Sequence, residues 1–215
     1  MNIIELELLS DDLTATAKFY KEVLGLDAHW WGTKFITFHV GYTKLIFRKS
    51  DGVQPVYHFA IDVPNNRFEQ SIPFVKARIP LIPVEGKEIA DFVNWKAKSI
   101  YFYDNNGNIL EFITRYDNHV FSGEEFSGKS YISISEIGLV TNNVSELADS
   151  LVKLFGIPVF HRQPREEHFT ALGDDEGLFI IASKGRDWYP TDKKSRSFYT
   201  RILFMNGSVV YNIVR

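Results

Sequence analysis

Apolar residues recur along the chain in two rhythms, one of period two and one of helical spacing, and together they divide it into repeating blocks. Glu5–Leu26 reads ELELLSDDLTATAKFYKEVLGL, and Glu136–Ile157 reads EIGLVTNNVSELADSLVKLFGI, at a constant offset of 131 residues without a gap. Each stretch opens as a short apolar strand and meets an Asp or Asn pair suited to capping a helix N-terminus. Leu13, Ala17, Tyr20 and Leu24 then follow at helical spacing, as do Val144, Leu147, Leu151 and Phe155. Gly25 and Gly156 close the two helices, glycine being the residue that best tolerates the left-handed C′ conformation. A weaker copy lies between them. Tyr57–Val63 alternates like a strand, Asn65-Asn66 follows, and Phe68, Ile72, Val75 and Ile79 have helical spacing, with Pro73 predicting a kink or a late start.

Short β-rich runs follow each helix. They are His29–Thr33, Lys34–Val40 and Thr43–Lys49 in the first block, Ser99–Tyr103 and Asn108–Arg115 in the second, and Phe169–Leu172 and Leu178–Ala182 in the third. The tail, Phe198–Met205 and Ser208–Val214 around Asn206-Gly207, predicts a further hairpin. The pattern is β-α-β-β-β three times over, an α+β protein of repeated modules forming curved mixed sheets. Residues 1–120 are expected to hold two paired modules (1–50 and 54–117), 121–130 a linker rich in Gly and Ser, and 131–215 a third module with the terminal hairpin. Modules below about 60 residues are hard to stabilise alone, so their sheets should bury one another.

Composition narrows the function classes. The 215 residues are 45% hydrophobic and 24% charged, the balance of a globular protein with a sizeable core. A net charge of -3 gives no general attraction for a phosphate backbone, so nucleic acid is not an expected partner. No basic segment followed by an apolar one opens the chain, and no window approaches the roughly 20 apolar residues of a membrane span. There are no cysteines, which excludes disulfides, thiolate nucleophiles and Cys-ligated zinc. A cytoplasmic protein with no membrane partner is the expectation.

Ser10-Asp11-Asp12-Leu13, Phe19-Tyr20 and Val23-Leu24-Gly25-Leu26, with His58-Phe59-Ala60-Ile61 and Tyr101-Phe102-Tyr103-Asp104…Gly107-Asn108…Glu111, carry a family resemblance. The succession resembles the vicinal oxygen chelate superfamily of glyoxalase I, bleomycin-binding, fosfomycin-resistance and extradiol dioxygenase proteins, whose βαβββ modules form half-barrels. It extends over about residues 3–117 and again over 132–185. In metal-dependent members the ligands come from the first strand of each module and the last strand of the second, which the resemblance carries onto Glu5, His58 and Glu111. The fourth glyoxalase-type ligand position falls on apolar Ile46, so a three-ligand site is implied. Glu136 mirrors Glu5, but no second His–Glu pair follows it, and one site within residues 1–117 is expected.

One imidazole and two carboxylates suit Fe, Mn, Ni or Zn as a divalent ion, with open positions for water or substrate. Each residue also has an ordinary reading: Glu5 a solvated strand residue, His58 a hydrogen-bonded core histidine, Glu111 a carboxylate that would be costly to bury unpaired in an apolar strand. Tyr101 is a candidate catalytic group, and Trp95, Tyr103 and Arg115 candidate substrate contacts, against aromatic core packing and an exposed salt bridge. Trp30-Trp31 read as a lid or interface. The leading expectation is a metal-dependent enzyme, dioxygenase-like or a lyase/isomerase, acting on a small oxygen-rich molecule. The alternatives are a metal-free binding protein of the bleomycin-resistance type and a fosfomycin-type transferase. A monomer or a homodimer fits either.

Overall fold

The computed structural model describes all 215 residues, Met1–Arg215. The first module contains β1 (Asn2–Ser10), α1 (Leu13–Leu24), β2 (His29–Trp31), β3 (Phe35–Val40) and β4 (Thr43–Lys49). The second contains β5 (His58–Asp62), α2 (Phe68–Lys76), β6 (Ala90–Phe92), β7 (Ala97–Tyr103) and β8 (Ile109–Arg115). The third contains β9 (Ser133–Thr141), α3 (Val144–Phe155), β10 (Phe169–Asp174) and β11 (Gly177–Ser183), and β12 (Arg201–Asn206) and β13 (Val209–Val214) end the chain. In the third module the strand expected between α3 and β10 shrinks to an isolated bridge between Val159 and Leu172.

Local signals work as their chemistry dictates. Asp12 accepts hydrogen bonds from the Thr14 and Ala15 amides, and Asn143 accepts from the Glu146 amide. Gly25 and Gly156 end their helices in the left-handed conformation, at φ 70° and 66°. In the second module the Asn65 side chain turns instead to Thr114 Oγ1 and the Arg115 carbonyl, at 2.8 and 2.9 Å. Without that cap α2 starts late, at Phe68 after a 3-10 turn, and carries Pro73 inside it.

The strands form two curved mixed sheets. One has six strands in the order β13-β12-β1-β4-β3-β2, the other seven in the order β10-β11-β9-β5-β8-β7-β6. This corrects the expected pairing of residues 1–50 with 54–117. The second module joins the third through antiparallel β5–β9, while the first joins the terminal hairpin through antiparallel β1–β12. Burial explains the choice. Every residue of β5 and eight of the nine in β9 are buried, as central strands shared by two modules require, whereas β1 keeps Glu5 partly exposed for a charged neighbour.

Residues 121–130 are correspondingly not a free linker, because β8 and β9 belong to one sheet. Phe126 packs edge-on to Phe74 at 5.2 Å, and its amide donates to Gln70 Oε1 of α2 at 3.0 Å. One hydrophobic cluster includes Leu6, Phe38 and Phe47 of the first sheet and Phe59, Phe112 and Ile137 of the second, together with Tyr20, Val75 and Leu147 from the helices. The sheets therefore share a core on their helix-covered faces. They meet closely at Gly41, which sits at φ 56° beneath the Ile132 carbonyl, where a Cβ would come within 1.9 Å of that oxygen.

Candidate metal centre

Strand alternation places His58, Ala60 and Asp62 on the face of β5 turned away from the helices. Glu111, Ile113 and Arg115 share that face on β8, and Glu136 and Gly138 share it on β9. Register does the rest. Ala60 stands beside Glu111 in the parallel β5–β8 ladder and opposite Glu136 in the antiparallel β5–β9 ladder. The two carboxylates thus flank a methyl group, with His58 two residues along the same strand face. One ligand atom from each of His58, Glu111 and Glu136 lies within 4.8 Å of the others. All three residues are buried, with exposures of 6%, 3% and 3%.

His58 has the geometry that a metal ligand would need. Its Nδ1 lies 3.1 Å from the Ile109 carbonyl, a bond that requires the proton on Nδ1 and leaves the Nε2 lone pair free, 3.6 Å from Glu111 Oε2. Burial pushes the imidazole down to about 4, so it is neutral at neutral pH. The same burial raises the Glu111 carboxyl, and the neighbouring charge of Glu136 raises it further. Glu136 is also raised by burial, which Arg115 partly offsets. Arg115 is itself buried, donating to Glu136 Oε1 and to Ser135 Oγ at 2.9 Å, with Asp62 3.9 Å away. When ionised, Glu111, Glu136 and Asp62 outnumber that single guanidinium by two charges. A buried excess of that size is costly, and a divalent cation would cancel it. The free Nε2, the flanking carboxylates and the charge excess all fit a metal ion.

Glu5, the first-strand ligand expected from the sequence, lies in the other sheet. There Glu7 stands beside Ile46 and opposite Arg201, as Ala60 stands beside Glu111 and opposite Glu136. Glu5, Ile46 and Arg201 therefore hold the places that His58, Glu111 and Glu136 hold in the seven-stranded sheet. An arginine supplies the positive charge: Arg201 donates to Glu5 Oε2 at 3.0 Å and to Glu7 Oε2 at 2.8 Å, and Lys44 reaches Glu5 Oε1 at 3.4 Å. Glu5 is an ion-paired residue of the first sheet and does not join His58 and Glu111. The fourth position of the seven-stranded sheet falls on Ile180, beside Gly138 in β11, and is apolar.

The linear pattern leaves Glu136 out, although two signals mark it. The 131-residue offset aligns it with Glu5, and it is the sole charged residue in the apolar run Ile132–Val140.

Above these three residues opens a cavity of about 220 Å³, walled by Phe92, Trp95, Tyr101, Phe169, Trp188 and Tyr189. Tyr101 pairs across the ladder with Glu111, and its ring lies 6.4 Å from His58. Burial, then the Glu111 charge, raises its phenol well above the usual range, so it keeps its proton. Trp95 lines the cavity and donates from Nε1 to Gln163 Oε1 at 3.3 Å. Tyr103 stands at the end of β7 outside the cavity lining, under the Lys193 ammonium at 4.9 Å. Arg115 is outside it too, committed to its buried carboxylates. Trp30 and Trp31 are exposed on β2, the edge strand of the other sheet, away from the cavity.

Trp188 and Tyr189 come from the long segment between β11 and β12, where no period marks them. The Trp188 ring lies 5.4 Å from His58, and its tip rests on Gly138, where a Cβ would approach Cη2 to 2.5 Å.

No protein-family profile matches the sequence, and no curated protein is significantly similar to it. Solved structures do resemble it. A candidate dioxygenase from Bacillus subtilis superposes over 100% of this chain and 84% of its own, at 14% identity and a TM-score of 0.63. A lactoylglutathione lyase from Agrobacterium tumefaciens matches 52% of this chain and 92% of its own, at 22% identity and a TM-score of 0.44. The first likeness shows the fold alone, that of the glyoxalase/dioxygenase type.

Proposed function

We propose that the protein is a metal-dependent enzyme of the vicinal oxygen chelate type, dioxygenase-like or a lyase/isomerase, acting on a small molecule with two adjacent oxygens. The observation that carries this reading is the convergence of His58, Glu111 and Glu136 at the base of the aromatic cavity. A divalent Fe, Mn, Ni or Zn ion bound there would supply Lewis acidity or oxygen activation, with open positions facing the cavity.

The remaining roles belong to the chain. Ala60 keeps the space between the carboxylates clear, and the Ile109 carbonyl holds the His58 tautomer. Arg115 orients Glu136 through one carboxylate oxygen and leaves the other free. Trp188 and Tyr101 exclude water from the buried group, and the protonated Tyr101 phenol can donate to a substrate oxygen beside Glu111. One chain supplies all of these residues, so a monomer would suffice for the site. No helix is long and apolar enough to cross a membrane, and we keep a cytoplasmic location as part of the proposal.

A second reading, a metal-free binding protein, is favoured by the Arg115–Glu136 ion pair, which already neutralises one carboxylate. Elemental analysis after dialysis against Mn(II), Fe(II) or Zn(II) separates the two. Wild-type protein should retain about one equivalent of metal per chain and His58→Ala none. Wild type that retains no metal would leave the binding-protein reading in its place.

A further inference from the structure

The cavity is polarised along its depth. Its base holds the two carboxylates and the neutral imidazole, and its walls are aromatic. Among its thirteen lining residues, a single Lys or Arg appears, Arg186 at the exposed rim. The Arg186 guanidinium lies 4.6 Å from the centre of the Phe169 ring, and no carboxylate approaches it within ion-pair distance of 4.0 Å. The adjacent Asp187, and Glu166 and Glu167 just before Phe169, have other neighbours. Asp187 pairs with Lys194 at 2.7 Å, Glu166 accepts from Gln163 at 3.0 Å, and Glu167 lies 3.9 Å from His168. Lys184 and His168 line a recess that shares Arg186 with the cavity, and Lys184 also has no acidic partner.

An unpaired guanidinium laid on an aromatic face is oriented by cation–π attraction and keeps its edge free for a planar anion. A cavity of about 220 Å³ falls below the range of about 300–1,000 Å³ that takes drug-sized ligands, so one small molecule would span from its base to its rim. Building on the metal-site reading, we infer that the substrate is a small organic anion: adjacent oxygens at one end face His58, Glu111 and Glu136, a flat apolar middle lies between the aromatic walls, and a carboxylate at the other end pairs with Arg186. Arg186 is then the residue that selects charged over neutral substrates. The pair forms at the rim, where the carboxylate keeps part of its hydration and need not be fully desolvated. The apolar walls below it would reject a charge placed nearer the middle of the molecule.

The test uses the full chain loaded with Zn(II) and two pairs of probes matched in their chelating oxygens. Catechol is compared with 3,4-dihydroxybenzoate, and 4-methylcatechol with 3,4-dihydroxyphenylacetate, by titration calorimetry on wild type and on Arg186→Gln. At least one carboxylated probe should bind wild type about fivefold or more tighter than its neutral partner, the scale of one partly exposed charge-assisted contact. Arg186→Gln should erase that preference and leave the neutral probe within about twofold, which also controls for any effect of the carboxylate on the acidity of the ring oxygens. Because Arg186 is exposed, the variant should keep the circular dichroism and Tm of wild type. Equal binding of charged and neutral probes, or a preference that survives in Arg186→Gln, overturns the inference and leaves the metal site standing. Zn(II) that fails to bind overturns the metal-site reading and this inference with it, and bound Zn(II) that takes up none of the probes overturns this inference alone.

Discussion

Glu111 and Glu136 face each other across the methyl group of Ala60, which is the direct ladder partner of both. Two strands from one module and one from the next bring together carboxylates 25 residues apart in sequence, and the smallest chiral side chain keeps the space between them open.

Ala60→Val should therefore disable the site without unfolding the sheet. Ala60 is fully buried, and added methyl groups in a packed strand cost about 1–3 kcal/mol. Metal affinity should fall at least tenfold while the circular dichroism spectrum stays native. Unchanged metal binding would show that the carboxylates do not close around a common ion.

Arg115 is the charge that allows Glu136 and Asp62 to be buried. Removing one partner of a buried ionic group costs about 3–5 kcal/mol because the other charge is left uncompensated. Arg115→Met should lose stability on that scale in denaturant titrations. Divalent metal should restore more stability to the variant than it adds to wild type, since the ion then carries all of the compensation. Equal stabilisation of the two proteins would mean that Arg115 and the metal do not share Glu136.

Much of the architecture follows from local chemistry. Asp12 and Asn143 mark helix starts, Gly25 and Gly156 mark helix ends, and alternation puts Ser99, Tyr101 and Tyr103 on one face of β7. The partner of each central strand does not follow. Glu5, Glu136 and Arg201 occupy corresponding register positions, but which of them meets His58 depends on contacts spanning most of the chain. In isolation Glu5 and Glu136 look alike; the neighbours decide, since Arg201 neutralises the first and the fully buried β5 receives the second. Trp188 and Arg186 are harder still, because a long irregular segment delivers them to the cavity with no periodicity to point there. Arg115 reads as a surface cation until the packed sheet buries its side chain against Glu136 and Ser135.

The protonation of His58 gives a pH signature. Its folded-state pKa is depressed to about 4 against an ordinary value of 6.5. The neutral form is favoured by folding, so this contribution is complete above about pH 6.5 and is lost as pH falls towards 4. At about 1.4 kcal/mol per unit of pKa shift, the loss amounts to roughly 3 kcal/mol. In metal-free protein the His58 ring proton resonances should stay those of a neutral imidazole, protonated on Nδ1, down to about pH 5. A midpoint near 6.5 would contradict the burial and the fixed tautomer.

Anomalous diffraction from crystals soaked in Mn(II) would locate the ion. One anomalous peak per chain is expected, about 2.0–2.3 Å from His58 Nε2 and from one oxygen each of Glu111 and Glu136, present in Glu5→Gln crystals and absent from Glu136→Gln crystals. A peak at Glu5, or none between these three residues in wild type, would contradict that placement.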